Sequence, residues 1–126
     1  MNAECGTRNT ELKQLTFEFG VRVVRLVEAL PRSATAQVIG RQLLRAGTSV
    51  GANYRAAKRA RSRPEFVAKL GICEEECDES IYWIELLIAL GVVKESRAAE
   101  LCQEANELVA ILVTSIKTAR ENRVKK

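Results

Sequence analysis

The chain has 126 residues, of which 47% are hydrophobic, 29% charged and 5% aromatic, with seven glycines and two prolines. That length suits one domain with its own core, and that balance excludes a disordered or low-complexity chain. The net charge of +4 comes without a single histidine, which excludes Ser-His-Asp and Cys-His nucleophilic systems and the Glu-x-x-His pairs of ferritin-like di-iron bundles.

Leu12, Leu15, Phe19, Val23, Leu26 and Leu30 recur at steps of three or four, so a first helix is predicted, stopped by Pro31. A second keeps a strict alternation of four and three at Ile39, Leu43, Ala46, Val50, Asn53, Ala57 and Ala60, a narrow seam typical of bundles. Ser62 and Glu65 form a capping-box pattern around Pro64, which predicts a sharp reversal at residues 61–63 and the start of a third helix. That helix is predicted to bury Phe66, Leu70, Cys73, Cys77, Ile81, Ile84 and Ile88 and to end with Gly91 at C′. A fourth, from about Ser96, presents Leu101, Ala105, Leu108, Leu112 and Ala119, with its acids early and its bases late as the helix dipole favours. Connections of about three to six residues make successive helices antiparallel neighbours. The predicted fold is therefore all-α, an antiparallel up-down-up-down four-helix bundle over residues 1–126, ordered from about 10 to 121 and frayed over Met1–Arg8 and Asn122–Lys126.

Charge is unevenly placed. Residues 1–63 carry twelve bases and four acids, a net +8, and residues 64–126 carry eight and twelve, a net −4. Four cysteines in a chain without a signal-like start point to a reducing cytoplasm and free thiols. The mostly apolar run Ile81–Val93, interrupted by Glu85, is shorter than the ~20 residues a bilayer span needs. No membrane partner is expected.

Candidate chemistry is sparse. Glu75 or Glu76 with Glu79 places carboxylates close on the third helix, but a metal needs convergent ligands from other helices, so a solvated or salt-bridged face is the simpler reading. Cys73 and Cys77 lie on an apolar face with Cys102 on the next helix, a spacing expected of small core residues rather than zinc ligands. No metal, cofactor or enzymatic activity is expected. Gly47-Thr48-Ser49-Val50-Gly51 lacks the Gly-Lys-Ser/Thr ending of a phosphate loop. Gly40, Gly47 and Gly51 instead form a stripe that admits another helix backbone, and Asn53 in the same seam is expected to specify register or assembly. Tyr82 and Trp83 are expected as core or interface anchors. Val24, Val38, Leu44, Trp83, Leu87, Leu90, Val92 and Val109 add apolar positions that one small bundle is not expected to bury, which predicts homo-oligomerisation.

The sharper feature is basic. Arg41, Arg45, Arg55 and Arg59 are spaced four, ten and four apart and so share one face of the second helix, with Lys58, Arg61 and Arg63 at its end. At the ~1.5 Å rise of a helix the stripe is about 27 Å long, enough for several phosphates. Arg41, Arg45, Arg55, Lys58, Arg59 and Arg61 are the candidate nucleic-acid contacts. The competing use is pairing with the acidic third helix, which carries Glu74, Glu75, Glu76, Asp78, Glu79 and Glu85.

The string from Arg45 to Arg55, Arg-Ala-Gly-Thr-Ser-Val-Gly-Ala-Asn-Tyr-Arg, then Ser62, Phe66, Lys69-Leu70 and Tyr82-Trp83-Ile84-Glu85-Leu86-Leu87, resembles bacterial four-helix-bundle proteins encoded within intervening sequences of large-subunit rRNA genes. The resemblance extends from Leu12 to about Arg120. It implies a left-handed bundle, a ring-like homopentamer, and kinship with the accessory variability determinant of diversity-generating retroelements, a basic barrel that binds nucleic acid and a reverse transcriptase. Gly47, Gly51, Asn53, Tyr54 and Trp83 are then the expected packing or assembly residues. Ala56 stands where the family commonly has glutamate, so no intersubunit role for that carboxylate carries over. The expected function is a non-enzymatic cytoplasmic homo-oligomer that binds RNA or DNA with little sequence preference. The alternative is a protein-interaction scaffold or accessory subunit, with a reverse transcriptase or another protein as partner.

Overall fold

The computed structural model describes the backbone of residues 2–125 and the side chains of residues 11–122. Four helices follow one another: α1 (Asn2–Glu28), α2 (Ala34–Lys58), α3 (Arg63–Ala89) and α4 (Glu95–Lys125). The segments expected to fray, Met1–Arg8 and Asn122–Lys126, fall almost wholly outside the described side chains.

Local chemistry sets the boundaries. Ser33 Oγ accepts the Ala36 N–H at 3.2 Å and starts α2, and Ser62 Oγ accepts the Glu65 N–H at 3.2 Å and starts α3. The Glu65 carboxylate reaches back past Ser62 to the Arg61 N–H at 2.6 Å, a capping box displaced by one residue that pins the reversal. At the end of α3, Gly91 takes φ +70°, with its N–H on the Ile88 carbonyl at 2.9 Å and the Val92 N–H on the Leu87 carbonyl at 3.0 Å. That is the Schellman arrangement, and it favours a residue without a Cβ at C′.

The helices form a square. Among the described residues each packs along its neighbour in sequence, α1 meets α4 more sparsely, and the diagonal pairs make no close contact. Contacts between α1 and α2 run in opposite directions, with Gly51 against Thr16, Gly47 against Val23 and Gly40 against Leu30. Cys77 with Ala105 and Arg63 with Ala119 show the same antiparallel register for α3 and α4. The bundle is thus all-α and up-down-up-down.

Its core is mostly aliphatic, built on Val23, Leu43, Val50, Leu70, Ile84, Leu87, Leu108 and Leu112, with Phe19 and Tyr54 as its buried aromatics. Four details differ from the periodic pattern. Thr16 is buried while Leu15 is only half-buried, because its hydroxyl donates to the Leu12 carbonyl at 2.7 Å and needs no water. In α2 the buried stripe steps from Val50 to Tyr54 and Ala57, leaving Asn53 half-buried with its amide on the Ser49 carbonyl at 2.9 Å. The larger Tyr54 occupies the corner facing α3. Ser80 and Leu87 are buried in α3, whereas Phe66 and Ile88 are half-buried. Leu87 therefore belongs to the core rather than to a free surface.

Candidate nucleic-acid interface

The outer face of α2 follows from what its inner faces must do. Gly40, Gly47 and Gly51 bring α1 so close that a Cβ on Gly51 would sit 3.3 Å from the Thr16 carbonyl oxygen, and Leu43, Ala46, Val50, Tyr54 and Ala57 fill the interior. The remaining face carries Arg41, Arg45, Thr48, Ala52, Arg55 and Arg59, all exposed. Small Thr48 and Ala52 between the arginine pairs leave the guanidinium groups as the tallest features of the ridge.

The arginines do not share one environment. Arg45 Nη1 donates to Glu76 Oε1 at 3.1 Å and Nη2 to Glu79 Oε2, so one base is held by two carboxylates of α3. Glu79 also accepts the Trp83 indole N–H at 3.0 Å. That bond, followed by the one from Arg45, holds the Glu79 carboxyl below its ordinary value, against the opposing effect of burial. The Glu79 bond and the nearby Glu76 charge raise Arg45 in turn. Arg45 thus departs from the expectation of a free phosphate ligand, because the helix pairing that builds the core also brings these acids within its reach.

Arg55 lies over the Phe17 ring, its guanidinium carbon 5.5 Å from the ring centre. Such stacking holds a cation in place without neutralising it. Among the described residues, no carboxylate forms an ion pair with the side chain of Arg41, Arg55, Lys58, Arg59 or Arg61. The Arg63 guanidinium instead donates to the Ala119 carbonyl at 3.3 Å.

The expected packing residues divide. Gly47, Gly51 and Tyr54 serve contacts within the chain, and Trp83 is half-buried, edge-on to Tyr82 with ring centres 5.0 Å apart. Phe17, Val38, Tyr82 and Leu90 remain more than half exposed. Phe17 escaped the sequence reading because it lies off the α1 seam. Its signal is a second, parallel row with Val21 and Val24, which lines an apolar groove of about 420 Å³ between α1 and α2 beneath Arg55.

Elsewhere the most strongly perturbed titratable groups among the described residues are buried thiols. Burial raises the Cys73 and Cys77 thiols to about 12, and the Cys77 thiol donates to the Ala105 carbonyl at 3.3 Å. Among the described residues, no three His, Cys, Asp or Glu side chains converge as metal ligands, and no helix is long and apolar enough to cross a membrane.

Fold and surface together define a small all-α bundle with a basic ridge on its second helix. Residues 8–114 match the family model described as 23S rRNA-intervening sequence protein, and the chain belongs to that family. It is similar to a crystal structure of a protein of unknown function from the S23 ribosomal protein family of Bacteroides thetaiotaomicron. The two share 36% identity and a TM-score of 0.82, over 86% of this chain and 97% of that one. No curated protein matches the chain.

Proposed function

We propose that this protein is a non-enzymatic, cytoplasmic homo-oligomer, of pentameric order, that binds RNA or DNA through the outer face of α2 with little sequence preference. The observation that carries the reading is the row of Arg41, Arg55 and Arg59, exposed on one face and free of carboxylate partners among the described residues. Guanidinium groups contact phosphates well and, outside a groove, read few bases. Exposed Phe17, Val38, Tyr82 and Leu90 support self-association, which repeats the ridge and raises avidity without new contacts. The test is binding of mixed-sequence single-stranded RNA and duplex DNA over a salt series. Affinity falls steeply with salt, and removing Arg41, Arg55 and Arg59 together lowers the logarithmic slope by roughly three. Undetectable binding at low salt refutes the reading.

The pairing of Arg45 with Glu76 and Glu79 favours a second reading, a protein scaffold whose charges serve packing. Light scattering separates assembly from nucleic-acid binding, and a 14.0 kDa species at micromolar concentration removes the oligomer from both.

A further inference from the structure

Where α2 gives way to α3, the end of the bundle holds a cavity of about 610 Å³ open to solvent. Leu12, Ala57, Phe66, Leu70 and Ala119 form an apolar floor. Around the rim stand Lys58, Arg61 and Arg63 from the reversal and the hydroxyls of Thr114, Ser115 and Thr118 from α4. Among the described residues, no carboxylate lines it. The turn explains this gathering, since α2 ends at Lys58 and Ser62 restarts the chain as α3, so three bases close in sequence converge at one corner. Glu65 holds the Arg61 backbone N–H at 2.6 Å and the Ala119 carbonyl holds the Arg63 guanidinium at 3.3 Å, which pins the turn and one of the three bases.

The groove between α1 and α4, about 450 Å³, is the useful contrast. There Arg22 and Arg25 of α1 line the groove with Arg97, Glu100, Glu104 and Glu107 of α4, and Arg22 pairs with Glu104. At the bundle end no described lining residue is acidic, and the nearby Glu65 carboxylate is engaged by the Arg61 backbone N–H.

We propose that this cavity binds a small amphipathic organic anion, with its aromatic or aliphatic body on the apolar floor and one phosphate, sulfonate or carboxylate head at Lys58, Arg61 and Arg63. The volume falls in the range of small-molecule sites, about 300–1,000 Å³. An apolar floor strengthens the contact between cation and anion, while the Ser115 and Thr118 hydroxyls supply further donors. The site does not depend on nucleic-acid binding, although Lys58 and Arg61 also extend the α2 ridge.

The test uses the intact protein and the fluorescent probe 8-anilinonaphthalene-1-sulfonate, an aromatic body with one sulfonate. The probe saturates one site per chain, Arg61→Gln weakens it roughly tenfold, and Ser115→Phe, which fills the mouth, abolishes it. Phe17→Ala, in the other apolar groove, leaves it unchanged. Absence of saturable binding overturns the proposal, as does binding that Phe17→Ala weakens and Arg61→Gln does not. Circular dichroism accompanies each variant, and if Ser115→Phe fails to fold, Arg61→Gln and Phe17→Ala decide between the two grooves.

Discussion

Gly47 lies so close to Val23 that a Cβ built on it would stand 2.7 Å from both Val23 methyl carbons. Val23 is fully buried and β-branched, with little rotameric freedom inside a helix, so it cannot yield. Gly47→Ala therefore costs stability despite the better helix propensity of alanine, by about 1–2 kcal/mol net of that gain. A Cβ on Gly71 meets nothing within 4 Å. Gly71→Ala should stabilise the chain by about 0.5–1 kcal/mol. Urea denaturation of the two variants checks the opposite signs.

The Glu79 carboxyl, held low chiefly by the Trp83 indole and then by Arg45, makes part of the stability acid-sensitive. A depressed folded pKa contributes stability above the unfolded value, lost as pH falls through the folded one. The loss therefore occurs on acidification below the ordinary 4.5. Trp83→Phe should narrow the difference in unfolding midpoint between neutral and acidic solution, and an unchanged difference would assign the acid sensitivity to other groups.

Glu104 behaves in the opposite way. Burial raises its pKa more than Arg22 lowers it, and its Oε1 is buried without a hydrogen-bond partner among the described residues. A raised carboxyl contributes stability only while protonated and loses it as pH rises through the folded value. Glu104→Gln should thus be more stable than the parent at neutral pH and should lose that advantage once the parent carboxyl is protonated, a crossover that paired thermal melts detect.

Cys73 and Cys77, buried with thiols at about 12, should resist Ellman's reagent at neutral pH in the folded state. In a Cys5→Ser, Cys102→Ser background both remaining thiols then react only on unfolding. Prompt reaction in native buffer would show that α3 opens readily.

The helices were legible because periodicity, Ser62 and Gly91 all act locally, and local chemistry is what a sequence displays. The core positions were legible wherever the side chain was apolar. Thr16 and Ser80 were hidden because their hydroxyls turn inward onto their own helix, to Leu12 and Glu76. The basic face of α2 was equally legible, but the state of each base was not. Whether an arginine finds an acid depends on the rotation of α2 against α3, and that rotation places Arg45 beside Glu79 while Arg41 and Arg59 gain no carboxylate among the described residues. The cavity was least legible, since its floor and rim draw on all four helices.

The thin seam between α1 and α4 has a kinetic meaning. Most native contact joins helices consecutive in the chain, linked by the short segments 29–33, 59–62 and 90–94. Each pairing closes a small loop, so contact order is low and folding belongs to the fast regime of helical bundles. The last closure, of the first helix on the fourth, adds the least, so backbone amides along that edge are expected to exchange with solvent through partial openings before the α2–α3 pair gives way.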